Sequence, residues 1–314
     1  MGPVQHRALN RSKRASFLKK DKQGVASTVG TIMALMVFIA FMALITNSYV
    51  PAWMMDNERS HMNQVIDQFG QLKNNVDSMT LQQGGSGDYS INMFAPVKLG
   101  SEGVPLFATA TVGLLSYVPQ GTSTSGVNVR FTDPVSGALI NSTGGGRADL
   151  YVPNRYYVPQ WICYENGAII LKQDDGQSIK AKPNLDISKV GGNINVDFTE
   201  IDLIGASQSV TGSDAVGFSL DLVYVDSQKY TWGAGSSGTL QLTITTVYGA
   251  AWHQYLKDYL SEKKLVGDGV DYDLSPSDSP SASTDRVTTI TLTLYKVTEV
   301  NYNRAQMEMK MLTT

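Results

Sequence analysis

The sequence predicts an α+β protein: a long N-terminal membrane/stalk helix, then a mainly antiparallel β-sandwich head with one or two short helices. Three observations carry this. Val25 to Met55 is 31 residues without Asp, Glu, Lys, Arg or His, Met62 to Met79 repeats apolar residues at helical spacing, and beyond about Asp88 apolar and polar residues alternate. The chain therefore divides into a basic leader, 1–24, a transmembrane helix, 25–55, an amphipathic stalk helix, 56–83, and a β head, 88–314, placed outside the cell.

Charge supports that division. Of the 25 Lys and Arg, Arg7, Arg11, Lys13, Arg14, Lys19, Lys20 and Lys22 precede Val25, against the single acid Asp21. The rest holds 18 bases against 27 acids, so it lacks the clustered cations that phosphate contacts need, and no nucleic-acid partner is expected. Ile32 to Ile45 is unbroken Ile, Met, Ala, Leu, Val and Phe. As a helix, Val25 to Tyr49 measures about 36 Å, enough for a hydrocarbon core of about 30 Å. The basic tail then stays in the cytoplasm, with Tyr49 and Trp53 at the outer interface. A secretory signal has a shorter apolar core and a small-x-small site behind it, and no such site follows here.

The join itself is informative. Gln23-Gly24-Val25-Ala26-Ser27-Thr28-Val29-Gly30-Thr31-Ile32, behind the Lys-rich leader, resembles the class III signal peptide of archaeal type IV pilins and related surface-filament subunits. The resemblance covers about a tenth of the chain. It implies cleavage by a membrane aspartyl peptidase between Gly24 and Val25, with Lys19, Lys20 and Lys22 as leader charges, and a filament built on the freed helix. It also implies as partners the prepilin peptidase, a cytoplasmic assembly ATPase, a polytopic platform protein and other pilin copies or relatives. Many bacterial relatives have glutamate at the fifth mature position; Val29 stands there, which favours the archaeal branch.

Past the span, Met62, Val65, Phe69, Leu72, Val76 and Met79 recur at spacings of three and four with polar residues between, a heptad seam from which Asn75 stands apart. Such a seam packs on the chain's own head or on a neighbouring copy. Pro51 permits a kink at the interface, and Gly84, Gly85, Ser86 and Gly87 end the helix.

In the head, Val216, Phe218, Leu220, Leu222 and Tyr224 alternate with mostly polar residues, as do Ile290, Leu292, Leu294 and Leu240, Leu242, Ile244. Val127 to Phe131, Ala168 to Lys172 and Ile194 to Phe198 are shorter strands, with a turn at Asp174-Asp175-Gly176. Trp252, Tyr255, Leu256, Tyr259 and Leu260 share one face of a helix that docks on a sheet. Residues 265–285, rich in Ser, Asp and Pro, read as a loop or disordered insert.

Chemistry is sparse. His6, His61 and His253 are too scattered to pair on a metal. Cys163, the single cysteine, forms no internal disulfide and reads as a small apolar filler in buried β structure. Asp268, Asp271 and Asp273 lack the full calcium-loop pattern and read as a solvated acidic loop. Gly144 to Gly146 lacks the Gly-Lys-Ser/Thr ending of a phosphate loop. No catalytic constellation or cofactor motif emerges, so an enzyme is not expected. Asn141-Ser142-Thr143 is an N-glycosylation sequon in an apparent turn; Asn10-Arg11-Ser12 is another, on the cytoplasmic side. The expected function is a pilin-like surface-filament subunit displaying its head for adhesion or surface interaction. The alternative is a membrane-anchored extracellular binding or envelope protein that never polymerises.

Overall fold

A computed structural model describes residues 26–81, 91–282 and 286–312. The leader, the Gly24–Val25 join and the Gly84 to Gly87 junction lie outside them. The chain packs as two compact units: the described residues up to Trp53 together with Val104–Ala108, and Met54–Gly103 together with the residues from Thr109 onward.

Helix α1 runs over Ala26–Leu81, the long apolar helix expected at the N-terminus. In its first unit Met33 is 63%, Val37 70% and Phe38 58% exposed, so the described residues leave most of the apolar run uncovered, whereas Val50 near its end is buried at 3%. The hydrogen bonding widens to a π turn over Ile45–Tyr49, where the Val50 N–H reaches back to the Ile45 carbonyl. Pro51 follows directly. It has no N–H to give, and its ring crowds the carbonyl four residues back, so the helix loosens beside it rather than ending.

The second unit is α+β, with two sheets. One joins β1 (Asn92–Lys98), β12 (Ala215–Thr231), β15 (Thr288–Leu312), β13 (Gly238–Thr246), β3 (Gly126–Thr132) and β4 (Leu139–Gly144) in that order, with β14 (Tyr272–Ser275) also on β15. Against β15 too runs β10 (Asn193–Ile204), in parallel, bringing β9 (Leu185–Val190). The other orders β11 (Gln208–Gly212), β2 (Gly113–Pro119), β5 (Gly146–Val152), β6 (Gln160–Glu165), β7 (Ala168–Gln173) and β8 (Gly176–Ala181), all antiparallel. Two tight hairpins follow from local chemistry: Asn166-Gly167 and Gly191-Gly192 all have positive φ, as a two-residue turn of matching twist requires.

Two cores result. In the first, β3, β13, β9, parts of β10 and the start of β15 meet helix α2 (Gly249–Glu262), whose Trp252, Leu256, Tyr259 and Leu260 are buried there. The second takes Val97 of β1, Phe218 and Leu220 of β12 and Met307 and Met309 of β15, together with residues of β2, β5 and β6. Met62, Val65, Phe69, Leu72, Val76 and Met79 of α1 lie in this second core, each at most 1% exposed. The seam is thus used within the chain. Polar residues beside it cover the open edge of β1: His61 Nε2 donates to the Lys98 carbonyl at 2.9 Å, Gln68 Oε1 accepts from the Lys98 N–H at 2.9 Å, and Asn75 Nδ2 donates to the Phe94 carbonyl at 3.3 Å. Asn75, off the seam, is therefore not idle. An unpaired strand edge invites pairing with other chains, and these side chains occupy it.

Three expectations are corrected. Residues 265–285 are not all loop, because Tyr272–Ser275 pairs with Leu294–Thr291 of β15. The alternation of β12 breaks at Val223, an extra residue between the Leu222–Met307 and Tyr224–Gln306 pairs, so Tyr224 is 50% exposed and Val225 turns inward. The sequon at Asn141 lies in β4, not in a turn, since positive φ begins only at Gly145.

In a chain beginning at Asp56, Phe69→Ala should lower stability by about 3–5 kcal/mol through the cavity it leaves. Gln71→Ala, on the exposed side, should change it by less than about 0.5 kcal/mol. Urea unfolding measures both, and equal effects would remove the seam from the core. A chain beginning at Ile91, which lacks α1, should aggregate, because the seam's apolar bed is uncovered.

Candidate functional site

Three polar arrangements in the second unit were not foreseen from the sequence. The first fastens α1. Glu58, wholly buried, accepts from Thr111 Oγ1 at 2.7 Å and from three successive backbone N–H groups, of Arg155, Tyr156 and Tyr157, at 3.0, 2.8 and 2.7 Å. One carboxylate thus shapes the β5–β6 connection. An acid in a polar helical run carries no sequence mark of such a role.

The second lies on the six-stranded sheet. Residues of β6 and β7 alternate between the cores: Ile162, Tyr164 and Ile169 enter the second, while Cys163, Ala168 and Ile170 enter the first. Toward β2 the face that holds Cys163 is left open as a groove of about 370 Å³. Leu114, Tyr151, Trp161 and Lys172 form a row across four strands along it. Tyr151 and Trp161 stack with ring centroids 4.4 Å apart, and Lys172 Nζ lies 4.7 Å from the Trp161 centroid. Arg147 Nε donates to Asp149 Oδ2 at 2.6 Å, and the Tyr248 hydroxyl to Asp149 Oδ1 at 2.5 Å. Behind them Glu165 accepts from Ser125 Oγ at 2.9 Å, Thr246 Oγ1 at 2.6 Å and Trp252 Nε1 at 2.9 Å. Burial pushes its carboxyl up to about 7 although these donors and Arg147 oppose the shift. The Cys163 thiol is buried, as a small filler would be, and is pushed well above its usual range by burial and then by the charges of Asp149 and Glu165. Its neutral thiol is thus favoured over the thiolate.

The third joins β10 to β15 and β4. Arg304 Nε donates to Asp202 Oδ2 at 2.6 Å; Glu200 accepts from the Tyr302 hydroxyl at 2.5 Å and from Ser142 Oγ at 3.0 Å. Burial raises both carboxyls, and the charge of Asp202 raises Glu200 further. Ser142 belongs to the sequon. It points inward to Glu200, while Asn141 is exposed and its Oδ1 accepts from Asn128 Nδ2 at 3.0 Å.

The Asp268–Asp273 stretch is not simply solvated. Asp271 is buried and accepts from Lys189 Nζ at 2.5 Å, the Val266 N–H at 2.9 Å and Lys296 Nζ at 3.4 Å. Burial alone raises its carboxyl, but these three donors outweigh it and hold it below its ordinary value. Asp273 accepts from the Gly269 N–H and the Tyr295 hydroxyl, both at 2.7 Å, so these acids serve the chain's own donors. Among the described residues no group of three or more His, Cys, Asp and Glu is placed to hold a metal ion. Gly24, Val25, Lys19, Lys20 and Lys22 lie outside those residues, and the structure brings the seam to a core, not to the groove or to Asn141.

What fold and site define is a class: a β-rich head with a shallow aromatic and charged groove, on a helix whose first part is apolar all round. No family model, curated protein or solved structure matches the chain.

A carboxyl near 7 when folded and about 4.3 when unfolded makes the folded chain bind the extra proton between those values. The stability this one group contributes is then full at and below about pH 4 and falls by on the order of 3 kcal/mol as pH rises to 7. Glu200 and Asp202 act in the same direction, while His61, whose imidazole burial holds below its usual value, opposes them. Urea midpoints of a chain beginning at Asp56 should therefore be higher near pH 5 than near pH 7.5. In Glu165→Gln, whose Nε2 can donate to Ser125 Oγ, that difference should shrink; an unchanged difference would clear Glu165 of the effect.

Proposed function

We propose that the chain is a type IV pilin-like subunit of an archaeal cell-surface filament. The observation that carries this is the helix after the leader: 31 uncharged residues behind a basic segment, with most of the apolar side chains of Val29–Leu44 exposed. A helix apolar all round needs lipid or other helices as its surroundings. The Gly24–Val25 join, by its resemblance to a class III signal peptide, supplies the step that changes one for the other. Cut there, the helix leaves the bilayer and bundles with its copies, through the prepilin peptidase, assembly ATPase and platform protein that the resemblance implies. The head, read as a β-sandwich outside the cell, is displayed outward, where its groove and Asn141 meet adhesion partners and glycosylation.

One observation favours the second reading, a membrane-anchored binding or envelope protein that never polymerises. The Met62–Met79 seam is satisfied inside its own chain, so no neighbour is required to cover it. The readings part at the N-terminus. Mass spectrometry of the mature protein should find a chain beginning at Val25, and Gly24→Val should leave the precursor uncut in the membrane, since a branched side chain hinders the scissile bond. An intact leader on the wild-type protein would defeat the pilin reading and leave the simple anchor.

A further inference from the structure

The turn Val104–Ala108 packs in the same compact unit as the helix up to Trp53, apart from the strands that flank it in sequence. It is a tight, well-tied turn. The Phe107 and Ala108 N–H groups both reach the Val104 carbonyl, at 3.0 and 2.9 Å, and Val104 and Ala108 form a bridge. Pro105 presets φ at the first central position, and Leu106 follows with φ of 70°. Such a turn ordinarily has Gly or Asn at that second position, because a side chain there strains the backbone. Leu106 nevertheless occupies it and is fully exposed, with Phe107 42% exposed beside it. Solvation does not explain a strained leucine held out at a tip. Val104, Pro105, Leu106, Phe107 and Ala108 carry no charge.

The same unit holds the aromatic end of the apolar helix. Tyr49 and Trp53 lie with ring centroids 5.9 Å apart, each about half exposed, where the uncovered run Val29–Leu44 gives way to polar sequence. Amphipathic rings of this kind gather at the level of lipid headgroups. A turn tip of Pro, Leu and Phe in the same unit suits the boundary between headgroups and acyl chains.

We propose that the Val104–Ala108 turn is a lipid-contacting finger that dips Leu106 and Phe107 into the membrane interface beside Tyr49 and Trp53, giving the membrane-held subunit a second point of contact. This rests on reading the helix as membrane-spanning. It adds what a single span lacks: one helix is free to rotate about its own axis, and a second contact beside it fixes which side faces the lipid surface.

The test uses the full chain in phosphatidylcholine vesicles, with an environment-sensitive fluorophore on Leu106→Cys, Phe107→Cys, Val135→Cys or Phe38→Cys; the wild-type Cys163 is buried and unlabelled protein checks its silence. Val135, 90% exposed, serves as the reference for a label in water. The labels at 106 and 107 should emit further to the blue than that at 135. They should also be quenched severalfold more by lipids quenching near the headgroup than by aqueous iodide, with the reverse at 135. Iodide quenching at 106 and 107 equal to that at 135 overturns the finger. Shielding from both quenchers also overturns it, since protein then covers the turn. The Phe38 label separates the two levels: quenched from the acyl end, it keeps the membrane span standing even when the finger falls, and unquenched it removes both.

Discussion

The six seam residues of α1 are the constraint on which the second unit depends. Each is withdrawn from water, and their core is built from β1, β12 and β15 of one sheet and β2, β5 and β6 of the other. Burying a large apolar side chain stabilises by roughly 1.5–3 kcal/mol, so the six together contribute at most roughly 9–18 kcal/mol. That is comparable to the whole stability of an ordinary domain, about 5–15 kcal/mol. The amphipathic half of the helix is therefore part of the head's core, not a spacer in front of it.

Polar groups then decide what the apolar seam leaves open. A stripe of Met, Val, Phe and Leu tolerates some sliding along its bed, whereas hydrogen bonds do not. Glu58 fixes α1 to three consecutive N–H groups, and His61, Gln68 and Asn75 fix it along the edge of β1. The same helix follows a different rule over Ile32–Leu44, where the residues are apolar on every side and the described residues leave most of them exposed. The π turn and Pro51 stand where the rule changes. Under the proposed function, one helix thereby serves lipid or sister subunits at one end and its own head at the other.

Buried carboxylates recur deeper in the head. Glu165, Glu200 and Asp202 sit where separate elements meet, each with hydroxyl, indole or guanidinium donors drawn from distant sequence. These acids cost stability as charges and return specificity as hydrogen-bond hubs, because a misplaced strand leaves one of them without partners. The groove shares this logic. Its floor, Arg147 and Asp149, is tied to Tyr248 just before α2, so the exposed surface is held by the buried network behind it.

The helix, the seam, the α2 face and most strands were legible because periodicity is local: spacings of three and four mark one side of a helix, and alternation marks one side of a strand. Where local pattern was absent, reading failed. Tyr272–Ser275 is a strand only because β15 offers it an edge, Val223 is a bulge only against Met307 and Gln306, and Asn141 is strand only by pairing with Arg130. The Asn166-Gly167 and Gly191-Gly192 hairpins are local too, since their residues favour the positive φ of a two-residue turn. The groove and the Glu58 clamp left no trace in sequence, since Tyr151 meets Trp161, and Glu58 meets Tyr157, only through folding. By itself the sequence determined that an apolar helix precedes an amphipathic one and a β-rich head, since these follow from the hydrophobicity of neighbours along the chain. Only the tertiary structure decided that the seam belongs to the head's own core and which acids are buried together, because burial depends on which distant surfaces meet.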